Sequence, residues 1–341
     1  MRLITLLTSL VSASAMAQYS GPESVEYDPA GDRYFVSNTS GGVIKVRTQA
    51  GAVSDFVTVS PAPYGLELLD GVLWACSGGT LKAYETGIAA LITTVQVGGT
   101  FLNGLATDGT HLYATDFTAK RIYKVTPPST VTTLVSNTVF TPNGIVYDPV
   151  QDRLVVVAWG SNAAITAVDK VTGAMSTLTT TSLSNIDGIA IDCLGNFLAA
   201  SWSPDRITRY EPTFTQPGVD LGVTGLNNPA DIDFDLVNNR ICIPNSGNNT
   251  VTLFDLDCSN TVPERESPTA LRAVPNPTSG LMRIEPPLSR DEPYLLLDAR
   301  GLLVGGGTLK HGALLDISSL TKGIYTIELT RIGQRLRVVR E

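Results

Sequence analysis

The chain has 341 residues, 43% of them hydrophobic, with 24 Lys and Arg against 32 Asp and Glu, a formal charge of −8. Its length suits one domain of about 245 residues plus one small one. The charge is uneven: residues 268–341 hold 10 basic against 7 acidic residues, or +3, which leaves −11 for residues 1–267. An acidic large domain repels phosphate backbones, so nucleic-acid binding is not expected.

Residues 1–17, MRLITLLTSLVSASAMA, join one Arg to an apolar run and the small-x-small pattern Ala15-Met16-Ala17. This reads as a secretory signal peptide cleaved before Gln18. The run is shorter than the roughly 20 residues a membrane span needs, and no later segment reaches that length.

From Gly21 to Asn260 one phrase recurs six times: PESVEYDPAGDRYFVSN, PYGLELLDGVLWACS, LNGLATDGTHLYATD, PNGIVYDPVQDRLVVVA, IDGIAIDCLGNFLAAS and PADIDFDLVNNRICIPN. Its third residue is Ser24, Gly65, Gly104, Gly144, Gly188 and Asp231, at steps of 41, 39, 40, 44 and 43. A period of roughly 40–45 residues built of short strands predicts one four-stranded propeller blade per repeat, hence an all-β, six-bladed β-propeller over residues 18–260. The fourth position is always apolar and the sixth is apolar except at Thr107, the alternation of a half-buried strand. The seventh is Asp except at Leu69, which reads as a turn residue bonding its own backbone. By the same columns the run DIDFD at 231–235 is strand and turn rather than a calcium loop. Blade six shows no fourth strand. Residues 259–266 are expected to complete it, or else it stays three-stranded with its edge covered.

Residues 261–269 are polar and Pro-flanked and read as a linker. Short strands between Gly and Pro turns then predict a small antiparallel β-sandwich over residues 270–341. This stretch resembles the C-terminal sorting domain of the bacterial type IX secretion system. The resemblance rests on Pro275-Asn276-Pro277, Asp298-Ala299-Arg300-Gly301, Leu320-Thr321-Lys322-Gly323-Ile324-Tyr325 and the basic run Arg335 to Arg340. It implies that residues 270–341 engage the secretion machinery, and that the cargo is released or held on the outer-membrane cell surface of a bacterium.

The second position of the repeat holds Glu23, Tyr64, Asn103, Asn143, Asp187 and Ala230. Innermost strands line a propeller's channel, so these side chains should converge at one mouth. Glu, Asn and Asp offer hard oxygens that suit calcium or magnesium. Here the chain resembles the senescence-marker-protein/gluconolactonase family of six-bladed propellers, which hydrolyse lactones and related esters with a divalent cation. The resemblance implies Glu23, Asn143 and Asp187 as metal ligands and Asn103 as a substrate contact. It also implies Asp187 as the catalytic general base, while Tyr64 would shape what enters. Two departures stand out: Ser24-Val25-Glu26 replaces the family's small-Pro-aromatic string, and Phe101 stands where the family has Arg. The second speaks against sugar-acid lactones as substrate. A non-catalytic propeller that binds a protein or glycan partner at the cell surface is the alternative reading.

His111, the only histidine in the propeller, shares its column with Arg33, Arg153 and Arg240, a solvated turn exit, so a Ser-His-Asp triad is not expected there. Trp74, Trp159 and Trp202 sit in or just after second strands and are expected to pack between blades. Of the four cysteines, Cys242 and Cys258 share blade six and form the favoured disulfide, with buried free thiols as the alternative.

Overall fold

Each repeat forms an antiparallel sheet laid down strand after strand in chain order. The computed structural model describes residues 18–258, 271–285, 287–288, 291–299, 301–310, 312–331 and 334–341. The expected signal peptide, linker and closing segment 259–266 lie outside them. Among the described residues there is no helix, and the chain divides into two compact units on either side of the Ser259–Asn260 bond.

In the first unit the inner strands are Pro22–Asp28, Pro63–Leu69, Leu102–Thr107, Thr141–Asp148, Ser184–Ile191 and Asp233–Asp235. Each lies against the next, and the last lies against the first, so the sheets close a circuit: the architecture is a β-propeller. Six clusters of buried side chains fill the gaps between neighbouring sheets. Tyr34, Phe35, Leu73, Leu112, Tyr113, Leu154 and Phe197 are almost wholly enclosed. A fully buried Leu, Ile or Phe contributes about 1.5–3 kcal/mol, so the gaps hold the ring together. The expected turn role of Asp is met: Asp28 accepts from the amides of Ala30 and Gly31, and Asp148 from those of Val150 and Gln151.

The small third residue has a physical cause that the sequence does not state. A Cβ at Gly65, Gly104, Gly144 or Gly188 would come within 2.2–2.6 Å of the carbonyl oxygen of Asn103, Asn143, Asp187 or Ala230 in the following sheet. Inner strands approach too closely there for a side chain. Between the last and first sheets the approach becomes bonding: Asp231 N donates to Glu23 O at 2.8 Å and Ser24 Oγ to Asp231 Oδ2 at 2.9 Å.

Sheet six has three strands, Asp233–Asp235, Arg240–Asn245 and Thr250–Asp255, and no N-terminal strand joins it among the described residues. The favoured disulfide is corrected: Cys258 bonds Cys193, with 5.7 Å between their Cα atoms, and Cys242 and Cys76 are free and buried. Strand alternation explains this. Ile241 and Ile243 face the gap toward sheet five, where Cys193 and Cys258 lie, whereas Cys242 faces sheet one among Tyr27, Tyr34 and Val36.

The second unit has a three-stranded and a four-stranded antiparallel sheet sharing one core around Met282, Ile327 and Val338. Its motif residues hold turns and ends. Asn276 Nδ2 donates to Arg337 O at 2.7 Å while its Oδ1 accepts from Val339 N at 2.8 Å. Asp298 Oδ1 accepts from Leu302 N, and Tyr325 OH donates to Thr321 O.

Candidate functional site

Glu23, Tyr64, Asn103, Asn143 and Asp187 occupy matching places near the start of their inner strands, and at each the pairing with the second strand slips. Such a bulge re-aims the side chain it contains. It also takes the next amide out of the ladder, and second-strand hydroxyls satisfy it: Ser24 N donates to Ser37 Oγ at 2.9 Å and Gly104 N to Thr115 Oγ1 at 2.8 Å. Ala230, fully buried, precedes the last inner strand.

Glu23, Asn143 and Asp187 sit at matching bulges, and the first two act electrostatically on the third. Burial drives the Asp187 carboxyl well above the ordinary carboxylate range, and the charge of Glu23 drives it further, while the Asn143 amide partly offsets both. Burial alone lifts Glu23 to about 7. Tyr64 is raised by burial and then by the charge of Glu23. Asn103 is buried at the matching bulge between Tyr64 and Asn143, and no side-chain bond links it to the acids.

Asp187 is 2% exposed, yet its Oδ1 has no hydrogen-bond partner. The indole N–H of Trp202 faces the same carboxylate and completes no hydrogen bond either. A buried acceptor and a buried donor left unpaired side by side are costly unless something else occupies the site. Among the described residues no group of three or more His, Cys, Asp and Glu is placed to hold a metal. A cation here would therefore rest on two carboxylates and amide oxygens. That donor set fits a hard divalent ion, which would relieve the repulsion between Glu23 and Asp187.

Two features of the channel escape the repeat columns as first read. The fourth-position residues, Val25, Leu66, Leu105, Ile145, Ile189 and Ile232, ring a cavity of about 300 Å³ toward the far end of the inner strands. Glu26, Glu67, Asp231 and Asp233 line one side of it. The fifth position carries Glu26, Glu67 and Asp233 in the first, second and last repeats, neighbours once the ring closes, and that was the available signal. The other feature is a run of aromatic rings beside the bulges, from Tyr64 through Phe101, Phe117 and Trp159 to Trp202. Trp159 and Trp202 do pack against each other between sheets, as expected, but both are also partly exposed, whereas Trp74 is core.

No protein-family model matches the chain, and no curated protein sequence does. Solved structures share its fold. A gluconolactonase of Xanthomonas campestris is 16% identical with a TM-score of 0.59, over 70% of this chain and 87% of that one. A catalytically inactive virginiamycin B lyase of Staphylococcus aureus, crystallised with quinupristin, is 15% identical with a TM-score of 0.54, over 68% and 79%. A chain of a nidogen/laminin complex is 18% identical with a TM-score of 0.51, over 65% and 92%. At these identities the likeness defines the architecture alone, a β-propeller.

Proposed function

We propose that this is an exported six-bladed propeller whose channel mouth hydrolyses a lactone or ester. Glu23, Asn143 and Asp187 would hold a calcium or magnesium ion, which when bound supplies Lewis-acid polarisation of a substrate carbonyl. Asp187 is the general base: its carboxylate takes a proton from water as the water oxygen bonds the carbonyl carbon. The C–O bond to the leaving oxygen then breaks, and that oxygen receives the proton back. Burial and the charge of Glu23 raise this carboxyl, which makes its oxygen a stronger proton acceptor than an ordinary carboxylate. Asn103 and Tyr64 contact the substrate from the adjoining bulges.

The observation that carries this reading is the unpaired Oδ1 of Asp187, buried beside a second carboxylate. The likeness in fold to a gluconolactonase and to a lyase agrees with catalysis in such a channel. Elemental analysis of the purified chain should find one divalent ion per molecule. Chelation should abolish aryl-ester or lactone hydrolysis reversibly, and Asp187→Ala should abolish it irreversibly. A metal-free chain that hydrolyses none of these esters would sink the reading. The likeness to a chain of the nidogen/laminin complex favours a second reading, a propeller that binds a surface partner without catalysis.

The second unit is proposed as a small β-sandwich that acts as a type IX sorting domain, its motif residues setting turns and pinning the final strand. The chain would then be secreted or displayed at the outer-membrane surface. Intact-mass analysis of secreted material should show loss of residues 1–17, and a chain ending near Ser267 should fold alone. Failure of that shortened chain to fold would refute the two-domain organisation.

A further inference from the structure

Tyr64, Phe101, Phe117, Trp159 and Trp202 form one unbroken arc across sheets two to five. Successive ring centres are 4.6, 5.6, 5.9 and 4.9 Å apart, mostly edge to face. All five rings are partly exposed, so the arc is not core. Both its ends reach the acidic pair. The hydroxyl of Tyr64 feels the charge of Glu23, and the unpaired indole N–H of Trp202 faces Asp187. The position that closes or follows the second strand is aromatic in sheets three, four and five, as Phe117, Trp159 and Trp202, but Thr39, Gly78 and Ser246 in sheets one, two and six. The arc is thus one-sided, a wall rather than a ring.

Partly exposed aromatic surface beside two buried acids is poorly suited to an anion and well suited to a neutral molecule with a flat apolar part. Rings with exposed edges and faces offer such a group offset-stacked and edge-to-face contacts. A carbonyl attached to that group would lie toward Asp187, which the Trp202 N–H also faces.

We propose that this arc is the substrate wall of the site and that it selects a planar aromatic carbonyl compound, an aryl ester or an aryl-substituted lactone. The proposal rests on the channel mouth being the reacting centre, but it can be tested without any reaction. Calorimetric titration of the full-length protein with 4-hydroxyacetophenone and with cyclohexyl methyl ketone compares one carbonyl on a flat and on a puckered ring. Neither ketone can be hydrolysed. The aromatic ketone should bind about ten-fold more tightly. Phe117→Leu and Trp159→Leu, which leave the acids untouched, should each erase roughly five-fold of that preference. Equal binding of the two ketones by the unaltered protein would overturn the proposal. So would preference unchanged in the folded variants, or binding of cellobiose without binding of the aromatic ketone, which would make the arc a glycan platform. Selective ketone binding in a chain that hydrolyses no ester would uphold the wall while removing the hydrolase reading.

Discussion

Where the inner strands begin, Asp187 leaves an oxygen unpaired beside Glu23. Where they end, acids of the same channel are occupied. Glu26 Oε1 accepts from Leu68 N at 3.0 Å in sheet two. Asp233 Oδ2 accepts from Tyr27 N at 2.8 Å, from sheet six to sheet one, and between the two ends Asp231 accepts from Ser24 Oγ. These bonds join sheets six, one and two, the stretch of ring that includes the closure. The contrast teaches that an acidic residue in this channel is read by what its oxygens hold, not by its charge or burial. The far-end acids stitch strands together, and at the near end Asp187 keeps an acceptor that no strand uses.

The widest separation between the two ends should come from amide substitutions. Asp187→Asn should lower ester hydrolysis by about a thousand-fold, the scale of a lost general base. It should not lower the thermal midpoint of the metal-free protein, because it removes a buried carboxyl with an unpartnered oxygen. Initial rates and melting curves on the same preparation check both halves, and a variant that loses stability and activity together would merge the two ends into one structural role.

Gly144→Ala tests the scaffold between them. The added methyl would sit 2.6 Å from the Asp187 carbonyl oxygen, a backbone atom that cannot step aside. Overpacking of this kind costs about 1–3 kcal/mol, read as a shift in urea midpoint, and it should also impair the site by displacing Asp187. Unchanged stability would mean that the inner strands are looser than described. At the far end, Asp233→Ala removes the acceptor of Tyr27 N and should cost about 1 kcal/mol without touching hydrolysis. A loss of activity at full stability would instead make Asp233 part of the reacting site.

The smallest expected effect is on pH dependence. Burial raises Asp231 to about 8, and burial followed by neighbouring carboxylates raises Glu26 and Glu67. Asp233 faces the same cavity and is raised mainly by burial. In the unfolded chain these groups titrate near 4. The native state therefore holds more protons over the interval between. The stability this confers is complete below about pH 4 and is lost as pH rises through about 8. Without divalent ions the melting point should fall by roughly 5 °C between pH 5 and pH 9, and Asp231→Asn should flatten part of the slope. A flat profile in the unaltered protein would show that the far-end acids are already ionised in the fold.

Much of this organisation is legible in the repeat. The period defines the sheets, the seventh-position Asp defines the turns, and the second-position column names the residues that bulge at the channel mouth. The sequence does not say why Gly recurs at position three. The cause is a close approach between strands about 40 residues apart, visible only once they are side by side. The disulfide was misassigned because sharing a sheet matters less than sharing a face: Cys242 points toward sheet one and Cys258 toward sheet five. The aromatic arc escaped because each ring alone reads as packing. Its members come from three different positions of the repeat: Phe101 leads into an inner strand, Tyr64 lies within one, and the rest close or follow second strands. The candidate ligands were legible by column, but the unpaired oxygen that marks Asp187 depends on what its neighbours fail to offer.

The Cys193–Cys258 bond has a consequence for how the chain bears load. It closes a loop of 65 residues that starts in sheet five and ends just before the second unit begins. Tension applied to the chain beyond Cys258 would pass there into the crosslink and on to sheet five. It would not peel the outermost strand from three-stranded sheet six, its weakest edge. If the C-terminal unit is then cut away, the new chain end stays riveted to the ring and cannot fray. A propeller whose last sheet lacks a fourth strand among the described residues is thus secured at its exit by a covalent bond.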